Sequence, residues 1–286
     1  MLSPKLQRRP RPKLPPASLI LAATVALLLF AVAILAPWIA PYHYARQNLD
    51  MPQRPPGPGH WLGTDELGRD NLSRLFYGAR VSLTVAVVVE VIELLFGATL
   101  GLLAGYFGGR LDSAIMRLTD MMFAFPDILL AILITAILGP SLFNVFLALA
   151  LVGWPGMVRL VRGQVLRLRE EEFVQAARAA GAGDARIVVR HLLPNVLGVI
   201  VVAATVGMGG VILAESTLSF LGIGVQPPYP SWGSMIQAAW LFRRSDPLMT
   251  LWPAAALALA VTAFNFLGDG LRDQLDPRMR GMRDEG

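Results

Sequence analysis

The sequence predicts an all-α membrane protein with six transmembrane helices, and three observations carry that expectation. Of the 286 residues, 55% are hydrophobic and 16% charged, whereas a soluble domain of this size carries charge on about a quarter of its positions. The apolar residues gather into six stretches, each 18 residues or longer, and about 20 helical residues cross a hydrocarbon core. Lys and Arg concentrate in alternate connecting segments, which is how a multi-span chain fixes its orientation.

Taken in order, the expected spans are 18–37, 81–107, 121–138, 141–158, 196–221 and 249–267. The first follows a basic tail (1–17) holding Lys5, Arg8, Arg9, Arg11 and Lys13. It exceeds the roughly 7–15 apolar residues of a cleavable signal, so it reads as an uncleaved span. The second and fifth, at 27 and 26 residues, measure about 40 Å as helices and are expected to tilt or protrude. Gly139 and Pro140 alone separate the third from the fourth, a tight hairpin. Gly97, Gly101 and Gly105 recur every four residues in the second span and offer a face where another helix can approach closely. Pro126, the Trp154-Pro155-Gly156 triplet and Pro253 are expected to interrupt their helices, because proline removes a backbone donor.

With the N-terminus cytoplasmic, 18 of the 25 Lys and Arg residues fall in inside segments and seven outside. Both tails (1–17 and 272–286) and the segment 159–195 are then cytoplasmic, while 38–80 and 222–248 are external. Trp38, Tyr42, Tyr44, Trp240 and Trp252 suit an aromatic belt at the outer face. In the first external segment, Asp70 is expected to cap an amphipathic helix with Leu72, Leu75, Phe76 and Ala79 on one side, lying along the membrane surface. In the second, 226–233 reads as a stiff turn before a short amphipathic helix carrying Met235, Ile236, Ala239 and Trp240.

The segment 159–195 has signals of its own. Glu170, Glu171 and Glu172 open a helical run, Arg178 stands near its end and Gly181 follows, the order that the helix dipole and a left-handed C-terminal cap favour. Phe173, Ala176, Ala177 and Ala180 fall at i, i+3, i+4 and i+7, so one side presents an aromatic knob beside three small residues. That shape admits another protein at close range. Asp184 is expected to cap a second short helix through Ile187, Val188 and Leu192, with Pro194 disfavouring helix at Leu193 and redirecting the chain.

The spacing Glu172, Ala176, Ala177, Gly181, Ile187 and Leu193-Pro194 resembles the EAA loop of membrane permeases in bacterial ATP-driven (ABC) importers. Further stretches are similar to the second permease subunit of dipeptide, oligopeptide and nickel importers: Gly63-Thr64-Asp65, Gly68-Arg69-Asp70, Tyr77-Gly78-Ala79-Arg80, the run from Leu218 to Pro228, the run from Asn265 to Asp273, and Leu275-Asp276-Pro277-Arg278. The resemblance implies a type I ABC importer permease fold in the bacterial inner membrane, with its core at 81–271. It implies that Glu172, Phe173, Ala176, Ala177, Arg178, Gly181, Ile187, Leu193 and Pro194 belong to the loop that couples to an ATPase. The partners it implies are a second homologous permease, two ATP-binding subunits that carry ATP and Mg, and an external solute-binding protein. It implies no cofactor on this chain. Dipeptides or oligopeptides are the expected cargo, with nickel or another small solute as the alternative.

Ionisable groups in a span cost about 2.5–3.5 kcal/mol at mid-helix on insertion scales, so they face protein or water. Glu90, Glu93, Asp127 and Glu215 are such groups; they read either as pathway residues, with Glu93 and Glu215 the first candidates, or as internally paired. Asp65, Glu66 and Asp70 lack the ligand spacing of a calcium loop and read as helix caps and arginine partners. The three histidines stand far apart, there is no cysteine, and no HExxH, P-loop or GxSxG motif occurs. Catalysis on this chain is therefore not expected. A net charge of +5 without an aromatic and basic stripe also excludes nucleic acid. Two other classes compete. A channel or ion-coupled secondary transporter would use Glu90, Glu93 and Glu215 but gives the 159–195 loop no role, and an intramembrane enzyme lacks a nucleophile or metal set.

Overall fold

A computed structural model of the chain describes residues 17–275. The expectations for the basic tail before Ala17 and for the stretch after Leu275 lie outside those residues. Among the described residues, five helices are long and apolar enough to cross a membrane: α1 (Ala17–Ile39), α2 (Asn71–Phe107), α5 (Leu142–Leu168), α8 (Leu193–Phe220, within a helical run from Asp184) and α10 (Pro247–Leu275). The sixth expected span is broken. It forms α3 (Gly109–Phe123) and α4 (Asp127–Leu138), bent by 84°. Pro126 lacks the N–H that would continue the ladder and disfavours helix at Phe125. α4 alone is about 18 Å long, short of a hydrocarbon core of about 30 Å. The other prolines behave differently from expectation. α5 runs through Pro155 and α10 through Pro253, since packed neighbouring helices tolerate the freed carbonyls.

α2 organises the bundle. Its glycine series packs on α5, and a Cβ at Gly97 would lie 2.6 Å from Met157 Cβ, at Gly101 2.8 Å from Val161 Cβ, and at Gly105 2.7 Å from Val165 Cβ. Only glycine lets the two backbones meet at these points. A core of Leu83, Val85, Val89, Val145, Ile212, Leu218, Trp232 and Phe264 joins α2, α5, α8, α9 (Trp232–Trp240) and α10.

The expected surface helix before the second span is instead the first turns of α2 itself, a single helix of 37 residues. Its cap is as expected, with the Ser73 N–H donating to Asp70 Oδ2 at 2.8 Å. It continues into the span as one helix, and its polar side is covered by the 40–70 segment. Asn71 donates to the Leu62 carbonyl (3.1 Å), Ser73 Oγ accepts from the Tyr42 N–H (3.0 Å), and Arg74 donates to the Tyr44 carbonyl (3.3 Å). Asp65 holds the same segment together by accepting from the Leu67 and Arg69 N–H groups (2.9 Å each) and pairing with Arg69 Nε (2.6 Å) and Arg74 Nε (3.4 Å). The Gly63 to Asp70 motif is thus a structural cap. Tyr44 packs between Tyr77 and Tyr229, at 4.6 and 5.9 Å between ring centroids. Burial, together with those two neighbours, pushes its hydroxyl pKa up.

Candidate functional site

At the end of the bundle opposite that cap, the chain leaves α5 and folds α6 (Glu172–Ala179), α7 (Asp184–Arg186) and a wide π turn, Ile187–Leu192, before α8. Glu172 sits in the first turn of α6 and Arg178 in the last, each matching the dipole. Gly181 has φ +80°. Its N–H bonds to the Arg178 carbonyl and that of Ala182 to the Ala177 carbonyl, both at 3.0 Å, the paired bonds of a Schellman cap.

A single residue holds α6 down. Val174 is fully buried among Leu168, Ile187 and Leu192. Phe173 on the other side is 39% exposed, Ala176 and Ala180 are exposed, and Ala177 is half-buried. The knob with small residues beside it therefore faces outward from a buried base.

Long-range contacts tie that base to the spans. Tyr106 at the end of α2 donates to Asp184 Oδ1 at 2.6 Å, and the Arg178 guanidinium lies 6.0 Å from the centre of the Tyr106 ring. Arg169 donates to the Gly105 carbonyl at 3.0 Å, and Arg162 grips Asp112 of α3 through two bonds of 2.5 and 2.7 Å. Asp184 is not the cap the sequence led us to expect. Gly183 occupies that position, and the carboxylate is engaged by Tyr106.

Nor does Pro194 redirect the chain. The helical run continues from Asp184 to Phe220, and Leu193 bonds through its N–H to the Val188 carbonyl five residues back. The widened turn admits proline at the second position of α8, where a missing N–H costs little. Of the loop residues named from the sequence, Glu172, Phe173, Ala176, Ala177, Arg178 and Gly181 form or cap one small helix. Ile187 lies beneath it, fully buried, while half-buried Leu193 and exposed Pro194 begin α8. Sequence reasoning missed Val174, Tyr106 and Arg169. Val174 had a signal, being the aliphatic residue next to Phe173; the partners of Tyr106 and Arg169 lie 78 and 64 positions away and had none.

The intramembrane acids separate. Glu93 is half-buried with its carboxylate against Gly153 of α5. Glu90 is 6% exposed and lies against Gly207 of α8, and its Oε2 has no hydrogen-bond partner among the described residues. Glu215 is fully buried within the chain, accepting from Ser219 Oγ (2.7 Å), Ser82 Oγ (3.0 Å) and Ser216 Oγ (3.4 Å).

Residues 97–281 match the family described as the binding-protein-dependent transport system inner membrane component. The chain belongs to this family. Residues 19–56 of the permease match the N-terminal TM domain of oligopeptide transport permease C. It is 49% identical over 249 residues to the dipeptide transport system permease protein DppC of Alkalihalophilus pseudofirmus, covering 87% of this chain and 82% of that one. Against DppC of Bacillus subtilis it is 43% identical, covering 90% and 80%. Against the glutathione transport system permease protein GsiD of Pectobacterium atrosepticum it is 44% identical, covering 91% and 86%. Among solved structures it is similar to a chain of the inward-facing MetNI methionine ABC transporter, with a TM-score of 0.58 at 20% identity, covering 71% of this permease and 97% of that chain. The fold is that of an ABC importer permease in a multi-span inner membrane protein.

Proposed function

We propose that this permease forms half of the translocation pathway of an ATP-driven importer of dipeptides or short oligopeptides, and that α6 is the element an ATPase subunit grips. The observation that carries the coupling role is the outward Phe173 and alanine face on a helix anchored by Val174 and braced on α2 through Tyr106 and Asp184. A load applied to that face reaches the spans without passing through a flexible link. The peptide cargo is supported by the names of the relatives that align over most of the chain. GsiD supports a close variant, a glutathione-like peptide.

On this reading both termini and α6 are cytoplasmic. The partners are a second permease, two ATP-binding subunits that hold ATP and Mg, and an external binding protein. The permease itself carries no catalytic group. Glu93, the half-buried acid, is the pathway residue, and Glu215 is not. Purification of the permease from its native membrane in mild detergent is expected to retain the second permease and the ATPase subunits. The reconstituted complex, given the binding protein, is expected to take up dipeptide only with ATP. Recovery of this chain alone, with flux driven by an ion gradient, would overturn the proposal.

A further inference from the structure

The surroundings of Glu215 have a direction. A backbone N–H can only donate, so a serine hydroxyl that accepts from one has its own proton to give elsewhere, and the Ser82 and Ser219 hydroxyls give theirs to Glu215, at 3.0 and 2.7 Å. The hydroxyl oxygens are then free to accept. Ser219 Oγ accepts from the Val225 N–H at 3.0 Å, and Ser82 Oγ accepts from the Trp232 N–H at 3.4 Å. Val225 and Trp232 bracket the turn that leads from α8 into α9. One carboxylate on α8 therefore orients two hydroxyls, one on its own helix and one on α2, and each holds one end of that turn.

Packing reinforces the same junction. Gly233 rests on the Ser216 backbone and Gly224 on Ser219, with no room for a side chain at either. The Trp232 indole is 1% exposed, donates to the Leu75 carbonyl at 3.3 Å, and would lie 3.1 Å from a Cβ at Gly78. At its other end the helical run that carries Glu215 begins at Asp184, the residue bonded to Tyr106 behind α6.

We propose that Glu215 is a positioning residue that locks the 222–231 turn and α9 to α8, so that displacement of α8 from the α6 end moves the opposite mouth of the pathway. The inference rests on the coupling role proposed for α6. A buried amide left without an acceptor is costly. Breaking the junction is therefore harder than carrying it along as one body. Glu215→Gln keeps the shape but puts a donor where an acceptor stood, which turns one hydroxyl away from its amide.

The test is the ratio of peptide taken up to ATP hydrolysed by the complete importer in vesicles. Glu215→Gln and the double variant Ser82→Ala, Ser219→Ala are expected to assemble, hydrolyse ATP and lose about tenfold in that ratio. Ser216→Ala is expected to stay within about twofold of wild type, because its 3.4 Å contact passes to no amide. If Glu215→Gln does not insert, the serine variants decide. A wild-type ratio in both Glu215→Gln and the double serine variant would overturn the inference alone. A wild-type complex that takes up no peptide with ATP would overturn the proposed function on which it rests.

Discussion

Gly101 shows how much one residue can fix. A Cβ there would stand 2.8 Å from both the Val158 carbonyl and Val161 Cβ and 3.1 Å from the Arg162 backbone nitrogen. The obstacle is partly α5 backbone, which has no rotamer to yield. Gly101→Leu is expected to destabilise the chain by about 1–3 kcal/mol, the usual cost of overpacking, seen as a lower Tm in detergent. A Tm equal to wild type would mean that α2 and α5 separate freely at this point. The four-residue glycine period was legible because it depends only on helix geometry. That α5 was the partner, and that Glu90 and Glu93 rest on Gly207 and Gly153 of different helices, was not, because it depends on which helices become neighbours.

At the scale of the element, α6 is eight residues long, too short to be stable in water by itself. It persists because its cap and its buried valine are supplied by the surrounding loop. Gly181 at φ +80° makes that cap possible, and a β-branched residue is strained in this conformation. Gly181→Val is expected to leave membrane insertion intact while reducing ATPase retention on purification. Full retention with normal uptake would show that the orientation of α6 is immaterial to coupling. The start, polarity and end of α6 were legible from Glu172, Arg178 and Gly181, since caps are local chemistry. The behaviour of Pro194 was not: a π turn absorbed it, and nothing in the short-range sequence distinguishes that from a break.

For the whole molecule, the alternation of basic connecting segments and the position of α6 lead to one orientation. The chain has no cysteine, so single cysteines report cleanly. A Gln47→Cys variant, exposed within the 40–70 segment, is expected to react with an impermeant maleimide added outside intact cells, whereas Ala179→Cys, exposed on α6, reacts only after the membrane is opened. The reverse pattern would invert the molecule and remove the ATPase from α6.

The sequence by itself determined the class of solvent, the five continuous spans to within a few residues except at the start of α2 and the ends of α5 and α10, the caps at Asp70 and Gly181, and the small-residue face of α6. Each of these follows from hydropathy, helix period or a bond between near neighbours. Tertiary structure alone decided that the third span breaks by 84° while Pro155 and Pro253 are tolerated, that the helix after Asp70 is continuous with the second span, and that Glu215 is buried among serines of α2 and α8. Those outcomes depend on which groups from distant parts of the chain arrive to satisfy a freed carbonyl, a polar helix face or a buried carboxylate, and that is fixed only when the helices pack.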